Sequence, residues 1–134
     1  MSKIISLSEA ASIAIHSMVL IASANGSLNV ISISERTGAS KHHVAKILQR
    51  LVKEGFLSST RGPSGGFVLK VPAGNITLLN IYESIEGKLD EVSCPVNNPV
   101  CTFQKCLMGN IVSKMTQEFK KYMCGQTLRD FIGE

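Results

Sequence analysis

The stretch VISISERTGASKHHVAKILQRLVK, residues 30–53, decides the architecture. Asn29 can cap a short helix from Val30 to Thr37, with Ile31, Ile33 and Ser34 among its turns, and Gly38 can stop it. After a three-residue turn, Ser40 can cap a second helix. In that helix Val44, Ile47, Leu48, Leu51 and Val52 recur at the spacing of one buried face, which leaves Lys41, His42, Lys46, Gln49, Arg50 and Lys53 largely on the other. A helix closed by glycine, a short turn and a helix with a basic outer face make the helix-turn-helix plan, whose second helix can enter a major groove. Taken alone, the basic face is equally a solvated helix surface.

The residues that follow separate these two readings. FLSST (56–60) and FVL (67–69) are strand-like runs around RGPSGG (61–66), the pattern of a β-hairpin with a glycine-rich tip. Arg61 stands there without a nearby acid, and the glycines would permit close approach to a minor groove or a phosphate backbone. A plain hairpin turn with a surface arginine is the competing reading. The candidate DNA contacts are Ser40, Lys41, His42, His43, Lys46, Gln49, Arg50, Arg61 and Ser64.

Toward the N-terminus, Ser6 and Glu9 have capping-box spacing, and Ala10, Ile13, Ala14, Ser17, Met18 and Ile21 follow at helical intervals. Lys3, an apolar run and Ala22-Ser23-Ala24 imitate a secretory signal, but Glu9 and His16 interrupt the run and suit an amphipathic helix ending near Ala24. No stretch has membrane-spanning length, so a cytoplasmic protein without a membrane partner is expected. Toward the C-terminus, Ile76 to Glu86 reads as a helix capped by Thr77 and closed by Gly87. Residues 88–106 read as a loop, and Leu107, Ile111, Val112, Met115, Phe119, Tyr122 and Met123 as the apolar stripe of a long helix. Thr127 can cap a last short helix through Ile132.

With 134 residues, 44% of them apolar and 18% charged, the chain suits one compact domain with a helical extension for pairing with a second copy. The fold class expected is mainly α with a small β-hairpin wing: a winged helix-turn-helix plus a long dimerisation helix. Within it, residues 1–75 form the DNA-binding region and 76–134 the cysteine sensor loop and dimerisation helix. The charge follows this division. Residues 1–75 carry eight Lys or Arg against three acids (Glu9, Glu35, Glu54), net +5, and residues 76–134 carry six against seven, net −1. A polyanion is therefore attracted to the first region alone.

Cys94, Cys101 and Cys106 are separated by six and four residues, and Cys124 lies eighteen residues beyond Cys106 at a helix end. The tight CxxC pairs usual in zinc sites are absent. Three soft thiolates on a loop suit an iron–sulfur cluster, while a thiol or disulfide switch, a zinc site and an inert loop stay open. Phosphate loop, HExxH and serine-nucleophile motifs are all missing, which argues against an enzyme. A small electron-transfer protein would have no use for a basic recognition helix and a wing.

The run Ile33 to Ser40 (ISERTGAS), followed by VAKILQRL (44–51) and RGPSGGF (61–67), resembles the IscR/NsrR family of winged-helix regulators, and the resemblance spans nearly the entire chain. It implies a homodimer on a partly palindromic double-stranded DNA operator, with the long helix crossing its twin. It also implies a 2Fe–2S or 4Fe–4S cluster on Cys94, Cys101 and Cys106, sensing redox, nitric oxide or iron–sulfur status. The family's cysteine intervals are five and five, so here the middle cysteine is displaced by one position. One branch places a histidine three residues after the third cysteine, where this chain has Gly109. Other branches draw a carboxylate or histidine from the first helix of the partner chain, which makes His16, or else Glu9, the candidate fourth ligand. Cys124 is read as a packed cysteine near the end of the dimer helix.

Overall fold

The computed structural model describes residues 7–63, 65–89, 107 and 110–132. Its first helix, α1, runs Glu9–Ser23 and is capped by Ser8, whose Oγ accepts from the Ala11 amide at 3.0 Å. This corrects the expected capping box. Ser6 lies outside the described residues, and Glu9 is the first helical residue, too early to fold back as the box partner. The buried face of α1 is Ala11, Ile13, Ala14, Ser17, Met18 and Ile21, close to the expected set.

Helix α2 spans Val30–Thr37 and α3 spans Lys41–Lys53, with the expected caps. Asn29 Oδ1 accepts from the Ser32 amide at 2.8 Å, and Ser40 Oγ accepts from the His43 amide at 3.1 Å. Gly38 ends α2 with φ 76°, a left-handed conformation in which a Cβ is strained. The turn is further tied by Ser34 Oγ donating to the Ala39 carbonyl at 2.5 Å.

Strands β1 (Leu57–Thr60) and β2 (Gly66–Leu69) pair antiparallel, with Leu57 opposite Leu69 and Thr60 opposite Gly66. Both strands end where expected, while β1 starts one residue later and β2 one residue earlier than the expected runs. The hairpin has a third member that local patterning does not show: Leu28, just before α2, exchanges two backbone hydrogen bonds with Phe67, at 3.1 and 2.8 Å. The wing is thus bonded to the segment that enters the helix-turn-helix.

A 3-10 turn at Ala73–Asn75 precedes α4, Leu78–Glu86. Thr77 caps α4 in a reciprocal box with Asn80, so the helix begins two residues later than expected. Helix α5 covers Ile111–Gly125, so it begins at Ile111 rather than Leu107, and it is followed by a 3-10 turn at Leu128–Phe131 that Thr127 and Asp130 box. After α5 the chain returns to the base of α4. The Leu78 amide donates to the Gln126 carbonyl and the Leu128 amide to the Ile76 carbonyl, both at 3.0 Å.

One core joins these elements. Met18 and Ile21 of α1 pack with Ile33 of α2, with Val44, Leu48 and Leu51 of α3, with Leu57 and Phe67 of the hairpin and with Ile81 of α4, while Met123 and Leu128 close it from the C-terminal end. Burying an aliphatic side chain of this size contributes roughly 1.5–3 kcal/mol. Helix α3 is therefore held by its apolar face, which leaves its polar face in solvent.

Candidate nucleic-acid interface

Successive residues of an α-helix are rotated by about 100°. On α3 this places His42, Lys46, Gln49 and Lys53 along the line opposite the buried Val44, Leu48 and Leu51, and all four are exposed. Lys41 and Arg50 are also exposed but sit on the flanks, where Arg50 Nε donates to Glu54 Oε1 at 3.2 Å. Ser40 stands at the head of the helix, its oxygen engaged as the cap. His43 differs from its neighbours. It is half-buried and faces α1, with Nδ1 3.6 Å from Glu9 Oε1, so in this arrangement it points away from the stripe formed by His42, Lys46 and Gln49.

In the wing, Arg61 is exposed, and Ser64 lies outside the described residues. Two glycines of RGPSGGF, Gly65 and Gly66, have a role inside the fold. A Cβ on Gly65 would come within 2.4 Å of the Thr60 carbonyl oxygen, and one on Gly66 within 2.6 Å of the Leu28 carbonyl oxygen. They permit close approach of the chain to itself, which folds the tip and docks the wing on residue 28. Sequence reasoning missed Leu28 because an isolated bridge leaves no periodic signal.

The sensor candidates divide differently. Cys94, Cys101, Cys106 and Gly109 lie outside the described residues. Cys124 is a free, exposed thiol in the last turn of α5, so it is not packed within its own chain; Met123 takes the buried position there. His16 is exposed, and its Nδ1 lies 2.7 Å from the Ser12 carbonyl oxygen one turn back. A carbonyl can only accept, so Nδ1 donates in this contact and Nε2 is the ring nitrogen left for another partner. The ring borders a groove of about 680 Å³ lined by Ile15, Val19, Leu20, Arg36 and Phe131. Among the described residues no three His, Cys, Asp or Glu side chains gather in a way that could hold a metal ion.

The expected stripe on α5 is also divided. Phe119 turns inward, its ring edge-on to Tyr82 with centroids 5.3 Å apart and planes at 70°, and Met123 is buried. Leu107, Ile111 and Tyr122 are exposed, Leu107 by 68% and Tyr122 by 56%. Among the described residues no helix is long and apolar enough to cross a membrane.

A helix-turn-helix with an exposed basic stripe, braced by an antiparallel wing, defines a winged-helix DNA-binding protein. The family model described as Rrf2, iron-dependent transcriptional regulator, matches residues 7–134, and the chain belongs to that family. The HTH-type transcriptional regulator IscR of Klebsiella pneumoniae is 27% identical over 114 residues, covering 85% of this chain and 70% of that protein, and IscR of Enterobacter shares the same identity and coverage. Among solved structures, CymR, the global cysteine regulator of B. subtilis, superposes with a TM-score of 0.79 at 22% identity, covering 95% of each chain. T. potens IscR superposes with a TM-score of 0.72 at 20% identity, covering 94% of this chain and 85% of that one. The protein is thus a DNA-binding transcriptional regulator, not an enzyme.

Proposed function

We propose that this Rrf2-family regulator binds a two-fold DNA operator as a homodimer and that the chemical state of Cys94, Cys101 and Cys106 sets its affinity. The observation that carries the DNA reading is the exposed line of His42, Lys46 and Gln49 on a helix whose other face is locked into the core. Residues 1–75 supply the DNA-binding region, with Ser40, Lys41, His42, Lys46, Gln49, Arg50, Arg61 and Ser64 as its contacts. His43 joins them only if it leaves Glu9. Half-site centres should lie about 34 Å apart, one turn of the duplex. The dimer reading rests on α5, a helix of 15 residues with only Met123 buried and apolar groups left in solvent.

The three cysteines would hold an iron–sulfur cluster. Thiolates are the ligand type such clusters select. His16 fits the remaining position chemically: a histidine ligand normally donates its other ring N–H to a carbonyl or carboxylate, which is the arrangement at Ser12. Glu9 fits less well, because its carboxylate already faces His43. Bound there, a cluster would supply a group that oxidants, nitric oxide or iron shortage can alter.

Anaerobic purification with absorption, iron and sulfide analysis tests the cofactor, and one operator titrated at fixed salt with loaded and cluster-free protein tests the function. A difference of about 5- to 150-fold is expected, the usual span for coupled sites. Cys94→Ala, Cys101→Ala and Cys106→Ala should each abolish the cluster, and Cys124→Ala should leave it. Equal affinities reject sensing; a difference without iron or sulfide assigns the response to a thiol switch. Lys46→Ala and Arg61→Ala should each weaken binding and lower the salt slope by about one, as expected for the loss of one phosphate contact.

A further inference from the structure

The first turn of α1 makes two contacts that the core does not require. Ser8 Oγ donates to Glu86 Oε1, on the last residue of α4. The next residue, Glu9, holds its carboxylate 3.6 Å from Nδ1 of His43, in the first turn of α3. Two consecutive side chains therefore reach two different helices. One grips the end of the helix from which the cysteine-bearing segment departs, and the other grips the head of the recognition helix. The departure point is itself pinned, since the Leu89 amide donates to Glu83 Oε2 at 2.8 Å, one turn before Glu86.

We propose that the first turn of α1 is the coupling element between the cysteine segment and the recognition helix, with Glu9 the positioning residue for His43 and Glu86 its anchor on α4. This rests on the sensing role of residues 90–106 proposed above. Ser8 and Glu9 are adjacent in the chain, so a displacement of the α4 terminus that Ser8 follows also moves the Glu9 carboxylate. While Glu9 holds it, His43 lies on the flank of α3, away from the outward line of Lys46 and Gln49. Released, the imidazole can swing toward that line and add a contact to phosphate or base, and the carboxylate no longer tethers the head of the helix. A single solvent-accessible contact between a carboxylate and an imidazole is a weak link, suited to a switch rather than to a permanent bolt.

The test compares operator affinity between cysteine-intact, anaerobically prepared protein and the Cys94→Ala/Cys101→Ala/Cys106→Ala protein, in four backgrounds: wild type, Glu9→Gln, Glu86→Ala and Glu118→Gln, an exposed acid on α5 that removes the same charge elsewhere. Coupling through this turn predicts that the ratio of the two affinities falls at least threefold in Glu9→Gln and in Glu86→Ala and is unchanged in Glu118→Gln. His43→Gln should lower the ratio as Glu9→Gln does, and the double variant should lower it no further. The imidazole resonances of His43 should differ between cysteine-intact and cysteine-free proteins in wild type and coincide in Glu86→Ala. A wild-type ratio of one removes the sensing role itself. A ratio above one that survives in either Glu9→Gln or Glu86→Ala overturns the coupling element alone. Loss of iron and sulfide from Glu9→Gln also overturns it, because Glu9 would then be a ligand.

Discussion

Helices α3 and α5 are of similar length, 13 and 15 residues, yet they are finished to different degrees. Helix α3 buries Val44, Ile47, Leu48 and Leu51 and shows solvent a face of charges and amides. Helix α5 buries Met123 alone and leaves Ile111 and Tyr122 exposed. Their stability must therefore come from different places. For α3 the chain's own core suffices, and its surface is free to bind. For α5 the chain covers one side, where Phe119 meets Tyr82 and Met123 is buried, and a helix with apolar groups on both sides is usually covered by a second partner.

Core truncation gives the sharpest break in that contrast. Leu48→Ala should cost about 2–5 kcal/mol in urea unfolding, the range for emptying a fully packed aliphatic site. Ile111→Ala, in dilute protein, should stay within about 0.5 kcal/mol of wild type, as surface changes do. Comparable losses for both would mean that α5 is bound into the monomer's core. Conversely, Ile111→Glu and Tyr122→Glu should leave far-UV circular dichroism unchanged and move sedimentation toward the monomer, an outcome with no counterpart for exposed residues of α3.

The next effect in size belongs to the wing. Gly66→Ala drives a methyl group against the Leu28 backbone and should destabilise by about 1–3 kcal/mol, the usual cost of overpacking. Its larger signature should be protease sensitivity within residues 57–69 together with weaker operator binding. Wild-type protection would show that the bridge to Leu28 is not needed to hold the wing.

A smaller effect marks the α4–α5 contact. Desolvation first, and the nearby Glu86 carboxylate second, raise the Tyr82 phenol above its ordinary value of about 10. The folded state thus holds this proton more tightly than the unfolded chain does. The corresponding stability is fully present below pH about 10 and is lost as pH rises through the folded value. The chain has two tyrosines, so Tyr122→Phe leaves Tyr82 as the single phenol for ultraviolet titration. A midpoint above 10 is expected; one at or below 10 would mean that the packing against Phe119 does not exclude water.

Caps and periodicity were readable because they are local. Asn29, Gly38, Ser40, Thr77 and Thr127 act within three or four residues of their own position, and each stands where the pattern put it. The exception, Ser8 in place of Ser6, came from two serines competing for one helix end. The apolar stripes of α1 and α3 were legible for the same reason, since spacing alone says which residues share a face. Of the site, the exposed line of α3 and the arginine of the wing followed from the sequence.

What needed the tertiary structure involves partners far apart along the chain. Leu28 meets Phe67, Thr77 meets Thr127, His43 meets Glu9 and Ser8 meets Glu86, and none of these pairs leaves a local pattern. The same holds for the glycines at 65 and 66: the sequence shows that side chains are absent there, and only the fold shows that the Thr60 and Leu28 carbonyls occupy the space. Residue order alone determined a helix-turn-helix with a basic face, a hairpin and an amphipathic C-terminal helix, because hydrophobic period and capping chemistry are properties of short segments. Which basic-face residue is held back from the line, what braces the wing and which half of the α5 stripe remains open were decided by packing, because each depends on where a distant segment comes to rest.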